Sequence, residues 1–298
     1  MNASDRPNLS VELGLLAMLA LLWGSSYLFI KVAVAEIPPI TLIAVRVSIA
    51  ALFLLAVLHW REERLPRDGK TWRRLLLQSF FNSIGAWTIL AWGQQYIDSA
   101  LASVLNSTSP IFVFFITLLF TRHEAVNATK LFGACLGLCG VVLIVGVDAL
   151  AGLGRQVAGQ GAALLGAILY ACAAIYGKRF THLPAGVTAA GAMLWAAGVL
   201  VPLSLLLEQP WTLRPSGHAI AAAVVLSIFC TGVALLIYFR LVRTLGSLGV
   251  ASQAYLRAGI GVLLGVVFLG EEITPLIAVG LLLAILGVAA INLPRRSS

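Results

Sequence analysis

The stretch GACLGLCGV at residues 133–141 recurs 147 residues later as GLLLAILGV at residues 280–288. Both copies keep two glycines seven positions apart and a following valine: Gly133, Gly140 and Val141, then Gly280, Gly287 and Val288. Seven residues is about two turns of helix, so each glycine pair shares one helical face. Other positions obey the same spacing. Trp23 and Lys31 are separated like Tyr170 and Lys178, again at an offset of 147. Pro110 opens Pro-Ile-Phe-Val and leads to Glu124; Ala258 stands 148 residues later and leads to Glu272. The chain is a duplicated unit, read as residues 1–147 and 148–298.

Both glycine copies sit in long apolar runs. Of 298 residues, 60% are hydrophobic and 11% charged, against about 45–50% and about 25% in a soluble domain. A membrane-crossing helix needs roughly 20 mostly apolar residues. Ten stretches qualify, at about 11–34, 39–59, 75–96, 99–120, 127–147, 159–179, 185–207, 218–238, 249–270 and 275–293. The predicted fold is an all-α polytopic membrane protein of ten transmembrane helices. Five helices per half is an odd number, so the second repeat enters the membrane inverted relative to the first.

The net charge of +8 is an address rather than a partner signal. With the N-terminus inside, fifteen of the 20 Lys and Arg residues fall on the cytoplasmic side; Lys31, Arg155 and Arg214 fall outside, and Arg46 and Arg257 lie within spans. That bias predicts both termini in the cytoplasm. A nucleic-acid partner is not expected. Arg6, an apolar run and Ala33-Val34-Ala35 imitate a secretory signal, but the run is longer than a signal core and Lys31 precedes the supposed site. The four cysteines, within predicted helices, lack a metal-binding spacing.

Trp23-Gly24-Ser25-Ser26 on helix one, Arg46 on helix two, Ser109-Pro110 on helix four and Leu269-Gly270-Glu271 at the end of helix nine resemble the EamA-type repeats of the drug/metabolite transporter superfamily. The resemblance covers nearly the whole chain, which looks particularly like bacterial aromatic amino acid exporters. It implies a bacterial inner-membrane exporter, not an enzyme, whose cargo is amino acids, aromatic ones included. Export of another metabolite or drug is the alternative. The chain departs from the family at Leu256-Arg257-Ala258, where a proline is usual, and at Thr121-Arg122-His123, with Glu124 one place late. Proline-based helix breaking is therefore expected in the first half only.

Inverted repeats can exchange conformations, which opens a central cavity to one side and then the other. Polar side chains are costly against lipid, so their faces mark the interior. Gln78, Asn82 and Gly85 begin such a stripe on helix three; Asn106, Ser107, Pro110 and Thr117 form one on helix four. Gln253 and Arg257 stand one turn apart on helix nine, while helices one and six offer Trp23, Ser26 and Tyr170. Simple interhelical hydrogen bonding is the competing reading for these groups. Trp60, Trp72 and Trp211 suit an interfacial belt. Trp23, Trp87, Trp92, Tyr170 and Tyr255 lie deeper, where their rings would pack the core or stack on cargo. Arg257 is expected to face the cavity and meet a substrate carboxylate; Arg46 and Pro110 are expected to be structural or gating.

Absences bound the mechanism. No Asp or Glu stands mid-span to relay a proton. Gly69-Lys70-Thr71 ends like a phosphate-binding loop, but Arg64 replaces the required earlier glycine. No cofactor is expected, and no hydrolase or metalloprotease motif occurs. One chain carries both halves, so no oligomer is required; its partners are the lipid bilayer and a small-molecule substrate.

Overall fold

The computed structural model describes residues 8–93, 96–97, 104–121, 127–146, 156–257, 259–260 and 274–292. Leu269-Gly270-Glu271, Glu124 and Ala258 lie outside them. Every regular element among the described residues is helical. Helices α1 (Leu9–Val34) and α2 (Pro39–Trp60) come first. Helices α3 (Gly69–Ser79) and α4 (Gly85–Gly93) are joined without a break by a π turn at Phe80–Ile84. Then follow α5 (Ser109–Ile116), continued by a π-helical segment at Thr117–Thr121, α6 (Ala128–Val145), α7 (Val157–Gly177) and α8 (Ala185–Leu207). A second composite, α9 (Gly217–Ser227) and α10 (Ala234–Thr244), is joined by a π turn at Ile228–Val233. Helices α11 (Gly246–Ala251) and α12 (Pro275–Asn292) complete the order. Six helices among the described residues are long and apolar enough to cross a membrane, and Val104–Phe120 and Ala128–Ile144 are shorter apolar helices.

Duplication is visible in the backbone. Besides the two π turns, the only left-handed non-glycine residues among those described are Glu62, φ 56°, and Gln209, φ 46°. They are 147 residues apart, and each follows the C-terminus of a long helix. Helical structure is also interrupted at Ser107-Thr108 and again at Ser252. The second interruption has no proline. There the Ser252 hydroxyl donates to the Gly249 carbonyl at 2.6 Å, as Ser109 does to Asn106 at 2.7 Å and Thr108 to Leu105 at 2.6 Å. Such short-range bonds from Ser and Thr compete with the helical ladder and bend it. Among the described residues the proline stands beside the first-half interruption alone, while hydroxyl bonds accompany both interruptions.

The repeated glycines form the closest helix contact. Helices α6 and α12 run antiparallel, with Gly133 beside Gly287 and Gly140 beside Gly280. A methyl group on Gly140 would stand 2.6 Å from the Gly280 carbonyl oxygen; one on Gly287 would stand 2.7 Å from that of Gly133. Only glycine permits this approach, and in lipid such packing is a principal source of helix association. The contact is isologous, since each glycine meets the repeat-equivalent of the other glycine on its own helix.

Carboxylates at helix ends lock the remaining pairs. Helix α1 packs along α9 and α10. At one end of that pair Glu12, fully buried, accepts from Arg240 Nη2 at 2.7 Å and from the Thr244 hydroxyl at 2.8 Å. At the other end Glu36 accepts from the Ser216 amide at 2.6 Å and its hydroxyl at 2.8 Å, at the start of α9. Glu208, at the end of α8, accepts from the backbone amides of Ile40 and Thr41 at 3.1 and 2.6 Å, which caps α2. Arg240→Ala strips the buried Glu12 carboxylate of its cation and should cost about 1–3 kcal/mol; Glu12→Gln/Arg240→Ala should recover part of the loss in detergent melting curves.

The Ser216 bonds hold the Glu36 carboxyl below its ordinary value, and His218 reinforces them. A carboxylate with a depressed folded pKa stabilises fully above its unfolded pKa of about 4.5 and loses that contribution as pH falls through the folded value. The melting temperature of Glu36→Gln should therefore lie below that of the parent at neutral pH and converge with it below about pH 4.5.

Candidate functional site

The deeper aromatic residues gather in one apolar cluster. Trp87, Tyr238 and Tyr255 are buried in it, with Trp23 and Tyr170 packed against it. Trp23 and Tyr238 have ring centroids 5.5 Å apart at 41°. Trp92 stands elsewhere: it is 44% exposed and pairs with Tyr96 at 4.9 Å. Tyr255 is wholly buried; its hydroxyl donates to the Ala134 carbonyl at 2.8 Å, and its ring lies on Gly137. It clamps α6 to the segment after α11.

Several polar side chains on the helices are buried with hydrogen-bonding capacity to spare. Asn106 and Gln253 occupy equivalent places, 147 residues apart and beside the two helix interruptions. Both are buried, and the amide oxygen of each has no hydrogen-bond partner among the described residues. The same holds for Asn82 Oδ1, in the first π turn, and for Trp23 Nε1. Asn82 Nδ2 makes one long contact, 3.4 Å, to the Ser83 hydroxyl. Buried polar groups are nearly always satisfied, so a set of unsatisfied ones calls for a ligand or water. Ser26 differs, because its hydroxyl donates to the Trp23 carbonyl of its own helix at 2.6 Å. Ser107 is buried, and Pro110 is buried at the start of α5.

The two arginines have opposite surroundings. Arg46 is buried with its guanidinium 4.0 Å above the Trp87 ring. Its Nε donates to Thr231 Oγ1 at 2.6 Å, and that hydroxyl donates onward to the Leu226 carbonyl at 2.9 Å. Arg46 thus ties α2 to the second π turn and to the first residues after the first one. A desolvated cation over an indole contributes about 2 kcal/mol. Arg257 is half-buried and makes no hydrogen bond or ion pair with a described residue; its backbone faces Gly24 of α1.

Sequence reasoning missed four of these features. Tyr238 as the partner of Trp23, Thr231 as the anchor of Arg46, Glu12 as a buried carboxylate and the π turns were all unforeseen. A signal existed for one: Phe81, Asn82 and Ser83 recur as Phe229, Cys230 and Thr231 at an offset of 148, so the π turns carry a Phe-x-hydroxyl pattern.

Antiparallel apolar helices, buried polar groups between them and carboxylates confined to helix ends define a polytopic helical membrane transporter. The chain belongs to the EamA-like transporter family, whose model matches residues 11–146 and again 157–293. It is 30% identical over 264 residues to YedA of Escherichia coli K12, an uncharacterized inner membrane transporter, covering 88% of this chain and 84% of that one. It is 25% identical over 279 residues to the uncharacterized transporter YoaV of Bacillus subtilis, covering 93% and 95%. A crystal structure of a protein with 20% identity superposes with a TM-score of 0.81, over 95% of this chain and 98% of that one, and shares its fold.

Proposed function

We propose that this chain exports amino acids, aromatic ones included, across a bacterial inner membrane by alternating access between inverted five-helix repeats, residues 1–147 and 148–298, with both termini cytoplasmic. The observation that carries the reading is the repeat-equivalent pair Asn106 and Gln253, buried beside matched helix breaks with their amide oxygens unpartnered. Amide oxygens accept from an ammonium group, the Trp23, Tyr170 and Tyr238 rings offer faces to an aromatic side chain, and the Arg257 guanidinium suits a carboxylate. Together these match an amino acid at both its charged ends and its ring. The isologous α6–α12 contact supports inversion, because a twofold axis relating antiparallel helices lies across them, in the membrane plane. The cargo class follows the sequence's resemblance to bacterial aromatic amino acid exporters, read on Trp23-Gly24-Ser25-Ser26, Arg46 and Ser109-Pro110.

Efflux from proteoliposomes tests the reading. Vesicles loaded with phenylalanine, tryptophan or leucine should release them faster than protein-free vesicles, and repeating the assay with an imposed pH gradient separates facilitated exit from proton exchange. Release of other metabolites with no amino acid flux would transfer the reading to a different cargo of the same family.

A further inference from the structure

The exposed face of α3 changes character along its length. Lys70 and Arg73 stand outward in the first turns, and Leu77 and Phe80 continue the same stripe at three- and four-residue spacing, 40% and 46% exposed. An open cleft of about 670 Å³ lies at the basic end, lined by Gly69, Lys70, Arg73, Arg74 and Tyr176. No carboxylate lines it. Asp68, the residue before Gly69, is engaged as the N-cap of α3, where it accepts from the Thr71 amide at 2.7 Å. Across the cleft the Arg179 guanidinium sits over the Tyr176 ring at 5.0 Å. From Tyr176 a ladder of rings runs to Phe81 at 5.9 Å and on to Phe80 at 6.0 Å, back toward the apolar part of the stripe.

We infer that this cleft binds an anionic phospholipid of the inner leaflet, its phosphate held by Lys70, Arg73 and Arg74 and an acyl chain laid along Phe81, Phe80 and Leu77. Charge complementarity selects the head group, since three cations converge without an acid among the lining residues. Basic pockets between helix ends on the cytoplasmic side suit anionic lipid heads. The apolar stripe running on from the cations selects a lipid over free phosphate, which would need the cleft alone. The side of the membrane rests on the orientation proposed above; the cleft's chemistry does not depend on the cargo.

Lipid retention tests this independently of transport. The full chain, purified from a membrane containing phosphatidylglycerol and phosphatidylcholine, should keep phosphatidylglycerol selectively in native mass spectra. Lys70→Gln/Arg73→Gln/Arg74→Gln should lower its affinity by roughly a hundredfold, at about fivefold per cation. Arg61→Gln/Arg64→Gln/Arg243→Gln, which removes three charges elsewhere on that side, should leave it unchanged. Equal loss in both triple variants, or no preference over phosphatidylcholine, would overturn the site. Displacement of the lipid by millimolar inorganic phosphate would overturn the lipid as occupant. On the parent protein, where no variant needs to fold, a photoactivatable phosphatidylglycerol should label the 69–74 segment and Tyr176; labelling confined to other segments would overturn the proposal as well.

Discussion

Gly287→Leu is expected to lower the melting temperature in detergent strongly, while Gly198→Leu, which adds the same atoms, is expected to be silent. A side chain at Gly287 meets backbone: the Gly133 carbonyl oxygen at 2.7 Å and the Gly137 amide nitrogen at 2.6 Å from its first carbon. Backbone cannot rotate away, so α6 and α12 must separate along their whole contact. Overpacking a tight core costs about 1–3 kcal/mol and sometimes more; here the repeated glycines would be forced apart together, so the upper end applies. Total stability is of order 5–15 kcal/mol. At Gly198, by contrast, nothing lies within 4 Å of an added carbon. Size-exclusion profiles and melting temperatures check the pair. Equal behaviour of the two variants would show that the glycine contact does not hold the halves together.

Arg257→Gln is expected to reduce kcat/KM for amino acid efflux by about 10–100-fold, the value of a charged hydrogen bond, with little change in melting temperature. Among the described residues its guanidinium has no partner to strand, so its removal should cost no more than about 0.5 kcal/mol of stability. Efflux of phenethylamine, which has the ring and ammonium group but no carboxylate, should be unaffected. The opposite pattern is expected at Arg46, whose side chain joins Thr231 and Trp87 across the repeats. Thr231→Val there leaves a buried guanidinium short of a partner and should destabilise by about 1–3 kcal/mol. Unchanged efflux of every carboxylate substrate by well-expressed Arg257→Gln would remove this arginine from the site.

The contrast between the two arginines was half legible in the sequence. Both lie in apolar runs, where a charge must face protein or water. Nothing local distinguishes Arg46 from Arg257, because the difference lies in what α9, α10 and α4 bring to them. Trp92 makes the same point. It shares a helix with Trp87, five residues away, yet Trp87 lies under the Arg46 guanidinium and Trp92 stands at the surface against Tyr96. Tyr255 reads from the sequence as a deep ring, and it is one, but Gly137 leaves a hollow that the ring fills and Ala134 takes its hydroxyl. The missing proline near Ala258 left no signal for a break in the second half, yet the helix is interrupted at Ser252, whose hydroxyl bonds the Gly249 carbonyl.

Apolar runs, confined charges and the 147-residue repeat were enough to specify a duplicated helical membrane protein and to place its glycine faces. Those properties are periodic or additive along the chain, so each can be read without knowing what a residue touches. The partners of Arg46, the burial of Glu12, the spare amide oxygens of Asn106 and Gln253, and the basic cleft with its ladder of rings came from packing alone. Each depends on side chains that are distant in sequence, 185 residues apart for Arg46 and Thr231, and a hydrogen bond or a hollow has no existence until both sides of it are in place.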